Sequence, residues 1–455
     1  MTSTWDTVVL GGGPAGFMAA LHLQMAGKKV CLVEAGSARL GGVCLHEGCM
    51  PTKSLLKTAE IYAQLRQAEE YGLQAKVEPV DLQQAVARKN THLQSLNNQI
   101  QQMFEQSGVH VQVGHGAFIS PAEIEVVHGN ERIRLKAQSF IIATGSRPRD
   151  VRGLSVDGDL VLNSTQMLNN TRMPQRLLVV GGGAIGCEFA SMYQAFGAHV
   201  TLLESAPQLL PREDADTAAA LQQGLEKRGV HVLTGSSATI VELKPNSVEV
   251  EICGGTNEHQ FFDQVLIAVG RQPNTEGLQL QHAGVVMSGP FIQVDKHLRT
   301  SQPHIYAAGD VVDTMMLAHT AEQESGVVVA NLLGKNEELR NHAIPRVVYS
   351  FPQVAAVGAL ENDLPAGSFT VLQQPFAENG KALVDQRQEG HVKILVDKQT
   401  QRLLGAAIVG DHATELIHEL TLAVTLGLPL QALQQTVHAH PTLAETIWKL
   451  AKSVA

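Results

Sequence analysis

Two cysteines, Cys44 and Cys49, stand in the stretch GGVCLHEGCMPTK at residues 41–53. Four chemistries compete for such a pair. Two small buried hydrophobes would sit in regular core, yet glycines and a proline crowd these two. Zinc would need further ligands in close spacing; His46 lies between the cysteines, but no second cysteine pair follows. A permanent disulfide closing so short a loop would add little stability. A redox-active dithiol remains. Pro51 is tolerated only in a first helical turn, so the helix expected over residues 51–70 begins near Cys49. Its dipole favours a thiolate at Cys49, and Lys53 adds positive charge one turn in.

Such a dithiol needs something to exchange electrons with, and the chain offers the same device twice. DTVVLGGGPAG at residues 6–16 and LLVVGGGAIG at 177–186 are each a β-branched run closing on Gly-x-Gly-x-x-Gly. The glycines are Gly11, Gly13 and Gly16, then Gly181, Gly183 and Gly186. A helical stretch follows each and ends at Gly27 or Gly197. A second apolar strand then ends in an acid, Glu34 or Glu204, at the same interval from the first glycine in both copies. This is a strand–turn–helix–strand unit for a dinucleotide. The glycines allow the tight turn, the approach of pyrophosphate and close helix packing, and the acid takes ribose hydroxyls. A carboxylate at Glu204 repels a 2′-phosphate and no arginine stands beside it, so the second site is expected to prefer NAD to NADP. IIATGS (141–146) and LIAVGR (266–271) are expected as strands returning within each domain, and TSQPHIYAAGD (300–310) as another, ending at Gly309-Asp310.

The whole chain sets wide bounds on these devices. At 455 residues it exceeds one core, and 44% hydrophobic with 17% charged residues fits folded domains. A net charge of -10 argues against a nucleic-acid partner. No apolar run approaches the length of a membrane span, and the opening residues carry no basic leader. Five cysteines, with one close pair, fit a reducing cytoplasmic setting better than a secreted disulfide framework. Near the C-terminus, HAHPTLAE (438–445) reads by itself as a solvated loop in a chain of 19 histidines, or as a metal site lacking ligands.

GGVCLHEGCMPTK resembles the redox signature of the pyridine nucleotide–disulfide oxidoreductases, and the resemblance runs from Gly11 to the C-terminal helix. It implies an α/β fold with two Rossmann-like domains, binding FAD and NAD, and a C-terminal α+β dimerisation domain. The implied boundaries are 1–149 for FAD, 150–271 for NAD, 272–341 for a central region completing the FAD site, and 342–455 for the interface. In it, Cys49 contacts the flavin, Cys44 exchanges with substrate, and Lys53 pairs with Glu188 near the flavin. His440 is the implied base and Glu445 its orienting partner, reaching the disulfide of the other subunit of a homodimer. His440-Pro441 is an X-Pro bond able to be cis. Further implied cofactor contacts are Gly42, Ala117, Gly145, Ala238, Gly270, Asp310 and Ala318. No resident metal is implied.

Within the family, Glu204, LLPREDAD, MLAHTAEQESG (316–326) and HAHPTLAE resemble the branch that oxidises dihydrolipoamide to lipoamide and reduces NAD to NADH. The implied partner is dihydrolipoamide, free or on a lipoyl domain of a 2-oxo acid dehydrogenase or glycine cleavage complex. The alternatives are an NAD(P)H-dependent reductase of another disulfide or of mercuric ion, or a flavin-bearing scaffold. Several departures from the family pattern lie where substrate choice could shift: Ala184 after Gly183, His46-Glu47 between the cysteines, Gln353, Lys381 and Ala444. A residue as small as Ala184 would leave the nicotinamide pocket more open.

Overall fold

A strand buried on both faces, followed by a glycine turn, can only sit inside a sheet covered by helices. The strand Ser3–Leu10 does so, with Val8 and Val9 fully buried. The helix Pro14–Met25 follows it, and Gly27 is left-handed just beyond. The structure, a computed structural model, describes residues 3–36, 39–254 and 256–454. It divides into two compact units.

The first unit holds residues 1–54, 84–149 and 271–340. Its main sheet has seven strands. His110–Val113, Val30–Glu34, Ser3–Leu10 and Glu131–Ile142 lie parallel in that order. Ile305–Ala307 joins Glu131–Ile142 in parallel, so a segment far along the chain completes this sheet. Glu123–His128 and His115–Ser120 extend it antiparallel. One face packs Phe118, Ile124 and Phe140; the other packs Ala19, Leu23, Ile141 and Val328.

The second unit holds residues 55–83, 150–270 and 341–455. A five-stranded parallel sheet runs His231–Leu233, His199–Leu203, Arg176–Val180, Gln264–Ile267, Val161–Asn163. A three-stranded antiparallel sheet, Ser237–Lys244 to Thr256–Phe262, shares its core. A third, antiparallel sheet of five strands carries the helices Ala413–Thr425 and Glu445–Lys452 on its core. The buried Lys393 ammonium sits among Asp214, Asp216 and Glu361. These acids could otherwise be mistaken for a cation site; here the lysine holds them, and paired burial is what makes a charge tolerable inside.

The α/β class, the two dinucleotide-type sheets and the C-terminal α+β region are those expected from the sequence. The cysteine helix begins at Cys49, as expected, but ends at Arg66 and does not run on to residue 70. Its chain tightens into i→i+3 bonds, Gln67 N to Gln64 O at 3.1 Å and Glu70 N to Gln67 O at 3.0 Å, and stops at left-handed Gly72. Among the described residues no helix is long and apolar enough to cross a membrane.

Candidate active site

The two glycine turns close in the same way. Gly11 has φ +101° and Gly181 φ +111°, and a Cβ on either would lie 2.3 Å from Ala143 O or 2.4 Å from Ala268 O. Any other residue is excluded there. Gly183 is different. Its φ of -74° suits any residue, and a Cβ would meet no protein atom within 4 Å. Glycine there leaves room for something other than protein, as a bound pyrophosphate requires. In the first copy Gly13, φ -71°, has only the Gly42 backbone at 4.0 Å, so Gly42 helps form the same cradle. Ala184 is exposed beside Gly183. The residues present therefore fit a dinucleotide at each turn.

The acids do more than sequence reasoning assigned to them. Glu34 Oε2 accepts from Gly12 N at 2.7 Å and Glu204 Oε2 from Gly182 N at 2.6 Å. Glu204 Oε1 also accepts from Ala206 N at 2.7 Å. Each carboxylate thus braces its own glycine turn. An ionised carboxylate offers about four acceptor sites, so capacity remains for ribose hydroxyls.

The opening cysteines lie on two helix ends. Cys44 is in the short helix Gly42–His46, and Cys49 is the first residue of Cys49–Arg66. Both are half-buried thiols outside any disulfide. Cys44 is pushed far above the ordinary thiol range, first by its hydrogen bond to Cys49. Burial and the charges of Cys49 and Glu322 add to this, and Lys53 opposes it. Cys49 is thus Cys44's hydrogen-bond partner and lies at a helix N-terminus, where a thiolate is favoured. His46 Nε2 bonds Leu40 O at 3.0 Å.

Three strand ends, separate in sequence, meet in the same unit. Ser146–Pro148 pairs antiparallel with Arg271–Pro273. Arg271 donates to Ser146 Oγ at 2.7 Å and to Ser146 O at 2.8 Å, and the Ser146 hydroxyl bonds Asp310. Arg271 also feels Glu47 and Cys49, so its positive charge acts on the redox pair. Ser146 and Arg271 were missed from sequence. The signal was present, as each directly follows Gly145 or Gly270, two positions expected at a cofactor. Beside this network Glu324, fully buried, accepts from Gly309 N at 2.6 Å. Burial pushes its carboxyl from 4.5 up to about 7. A raised folded pKa means stability is full below the unfolded value of 4.5 and is lost as pH rises through about 7. Glu324→Gln is therefore expected to raise the melting temperature of the holoenzyme more at about pH 8 than at about pH 5. Equal shifts at both values, measured by scanning calorimetry, would contradict this.

Ala117 lies half-buried in His115–Ser120, Ala238 in Ser237–Lys244, and Ala318 opens the helix Ala318–Leu332. Glu188 is buried in Ala184–Phe196 and accepts from Tyr349 N at 3.0 Å. In the second unit the HAHPTLAE segment is built around a histidine–carboxylate hydrogen bond. His440 Nδ1 meets Glu445 Oε1 at 3.0 Å, and Glu445 Oε2 accepts from Thr442 N at 3.0 Å. His440-Pro441 is cis. Glu445 opens the helix Glu445–Lys452. The Thr442 amide and then His440 hold its carboxyl below the usual range. A carboxylate only accepts, so Nδ1 carries the imidazole proton and Nε2 presents a lone pair. The ring is 81% exposed.

The family model for pyridine nucleotide-disulphide oxidoreductases matches residues 5–325, and its dimerisation domain matches 344–451. This chain belongs to the pyridine nucleotide-disulphide oxidoreductases. It is 41% identical to the dihydrolipoyl dehydrogenase of Thermus scotoductus over 99% of this chain and 97% of that protein. It is 35% identical to a dihydrolipoyl dehydrogenase of Bacillus subtilis over 99% of this chain and 98% of that protein. Among solved structures, LpdA from Mycobacterium tuberculosis superposes with a TM-score of 0.91 at 27% identity, covering 99% of this chain and 100% of that one. The Escherichia coli flavoprotein disulfide reductase RclA gives 0.88 at 29%, with the same coverage. Membership makes the chain a flavoprotein disulfide oxidoreductase, an enzyme, and gives the Cys44–Cys49 pair its context.

Proposed function

We propose that the chain works as a homodimer that oxidises dihydrolipoamide, free or on a lipoyl domain, to lipoamide and passes the electrons to NAD. The observation that carries this reading is the Cys44–Cys49 pair. The two thiols are hydrogen-bonded to each other, and Cys49 stands at a helix N-terminus within reach of the Arg271 charge. Near-full-length similarity to dihydrolipoyl dehydrogenases supports the substrate. The odd cysteine count supports a reducing, cytoplasmic setting.

The glycine cradle at Gly11, Gly13 and Gly42 would hold FAD, with Glu34, Gly145 and Asp310 alongside. The cradle at Gly181, Gly183 and Gly186, braced by Glu204, would hold NAD. Once bound, these groups supply a two-electron acceptor for the thiols and a hydride acceptor beyond it. The chain's own residues do the rest. In the oxidised enzyme Cys44 and Cys49 form a disulfide. His440 Nε2 takes the proton of one substrate thiol while Glu445 holds the ring and stabilises the imidazolium. The substrate thiolate attacks Cys44 Sγ; an S–S bond to substrate forms, and the Cys44–Cys49 bond breaks with its electron pair going to Cys49. The second substrate thiol gives up its proton to solvent and attacks the first substrate sulfur; the lipoamide ring closes, and Cys44 leaves as a thiolate that takes the proton held on His440. The enzyme ends with a Cys44 thiol and a Cys49 thiolate, and the substrate as a disulfide. The match to a dimerisation domain and the exposure of His440 support the arrangement in which His440 serves the disulfide of the partner subunit.

Purified enzyme should form NADH from NAD and dihydrolipoamide far faster than it consumes NADH with glutathione disulfide or mercuric ion. The reverse preference would reject the substrate. Glu204→Ala should raise the KM for NAD about tenfold, since it removes both a ribose acceptor and the brace on Gly182. An unchanged KM would contradict the ribose contact.

A further inference from the structure

His440 and Glu445 are held partly from within their segment, by the Thr442 amide on Glu445 and the Thr442 hydroxyl on Ala439 O at 2.8 Å. The segment between them is a loop closing on a proline, and the His440 ring is mostly exposed. One buried side chain outside the segment grips it. Asn379 is 2% exposed and caps the short helix Gly380–Val384, its Oδ1 accepting from Lys381 N at 2.8 Å and Ala382 N at 3.1 Å. Its Nδ2 faces the other way. It donates to Thr442 O at 3.1 Å and to Thr446 Oγ1 at 2.8 Å. Thr442 is the residue whose amide binds Glu445 Oε2, and Thr446 directly follows Glu445 in its helix. The four hydrogen bonds use the whole amide, two donated and two accepted.

We propose that Asn379 is the positioning residue of the base. By clamping Thr442 and Thr446 together it fixes the Glu445 carboxylate on His440 Nδ1, and so keeps Nε2 as the lone pair that meets the substrate thiol. The inference deepens the proposed function and rests on it for the identity of that thiol. Asn379 is the side chain that joins Thr442 to Thr446 from outside the segment. On the other side of His440, His438 Nε2 is held by Glu419 at 3.0 Å, which anchors the loop's entry but touches neither Glu445 nor Thr442. The other charge acting on Glu445 is Lys449, one turn along its own helix. Asparagine is needed for a chemical reason. Aspartate in its place would keep the helix cap but set a carboxylate oxygen against the Thr442 carbonyl.

The test uses the full-length holoenzyme with Asn379→Asp, and with Thr446→Val as a milder second variant that keeps the Asn379–Thr442 bond. Two readouts are taken. The first is the ratio of dihydrolipoamide oxidation to NADH-dye reduction, which needs no base. The second is the pH dependence of carbethoxylation at His440 by diethylpyrocarbonate, read by mass spectrometry. Asn379→Asp should lower kcat/KM for dihydrolipoamide about tenfold or more, with the dye activity within about twofold. The midpoint of His440 modification should move to lower pH by about half a unit or more, because the imidazolium loses its carboxylate. Thr446→Val should move it the same way by less. Equal loss of both activities, or an unmoved midpoint, would reduce Asn379 to a helix cap and overturn the proposal. Should the parent enzyme oxidise no dihydrolipoamide, the substrate reading fails, and the His440 midpoint still decides the role of Asn379.

Discussion

Cys44→Ser is expected to abolish dihydrolipoamide oxidation, with a loss of about a thousandfold or more, while flavin stays bound and NADH still reduces a dye. A serine hydroxyl cannot form the mixed disulfide, so exchange has no acceptor sulfur. The glycine cradles, the braced acids and the Ser146–Arg271–Asp310 network do not involve Cys44, so binding of the dinucleotides should survive. Stopped-flow reduction by dihydrolipoamide and steady-state NADH-dye turnover separate the two. Full lipoamide turnover in Cys44→Ser would refute its exchange role. Cys49→Ser should lose turnover equally but differ in one respect. The first cause holding the Cys44 thiol high is its bond to Cys49, so Cys44 in that variant should titrate lower and react faster with iodoacetamide.

His440→Gln should cost about a hundredfold to ten-thousandfold in dihydrolipoamide oxidation, the range of a lost general base. The dye reaction should fall far less. Glu445 remains an ionised carboxylate in that variant through the Thr442 amide, so the loss reports the base and not a collapsed loop. Comparing kcat/KM for the thiol substrate with the dye rate checks this. Equal losses in both would reject His440 as the base.

Much of this arrangement was legible in the sequence wherever function depends on residues close along the chain. The two glycine turns and the cysteines around a helix start are local devices whose spacing carries the chemistry, while His440 and Glu445 took their roles only from the family resemblance. What joins distant segments was not legible. Ser146, Arg271 and Asp310 meet because three strand ends converge, and Ile305–Ala307 completes a sheet begun by Ser3–Leu10. Among the described residues Lys393 has no partner close along the chain; the fold brings Asp214, Asp216 and Glu361 around it. Asn379 carries no motif of its own; its meaning comes from Thr442 and Thr446, which the C-terminal helix brings to it. The end of the cysteine helix was misjudged because composition favours helix through the glutamates, while Gly72 sets the stop.

The most direct test of the account is anaerobic. Purified yellow enzyme is mixed with dihydrolipoamide and NAD, NADH is followed, and Cys49→Ser is run alongside. NADH should form with the intact enzyme and not with the variant. NADH formed at equal rates by both would contradict the dithiol relay through Cys44 and Cys49.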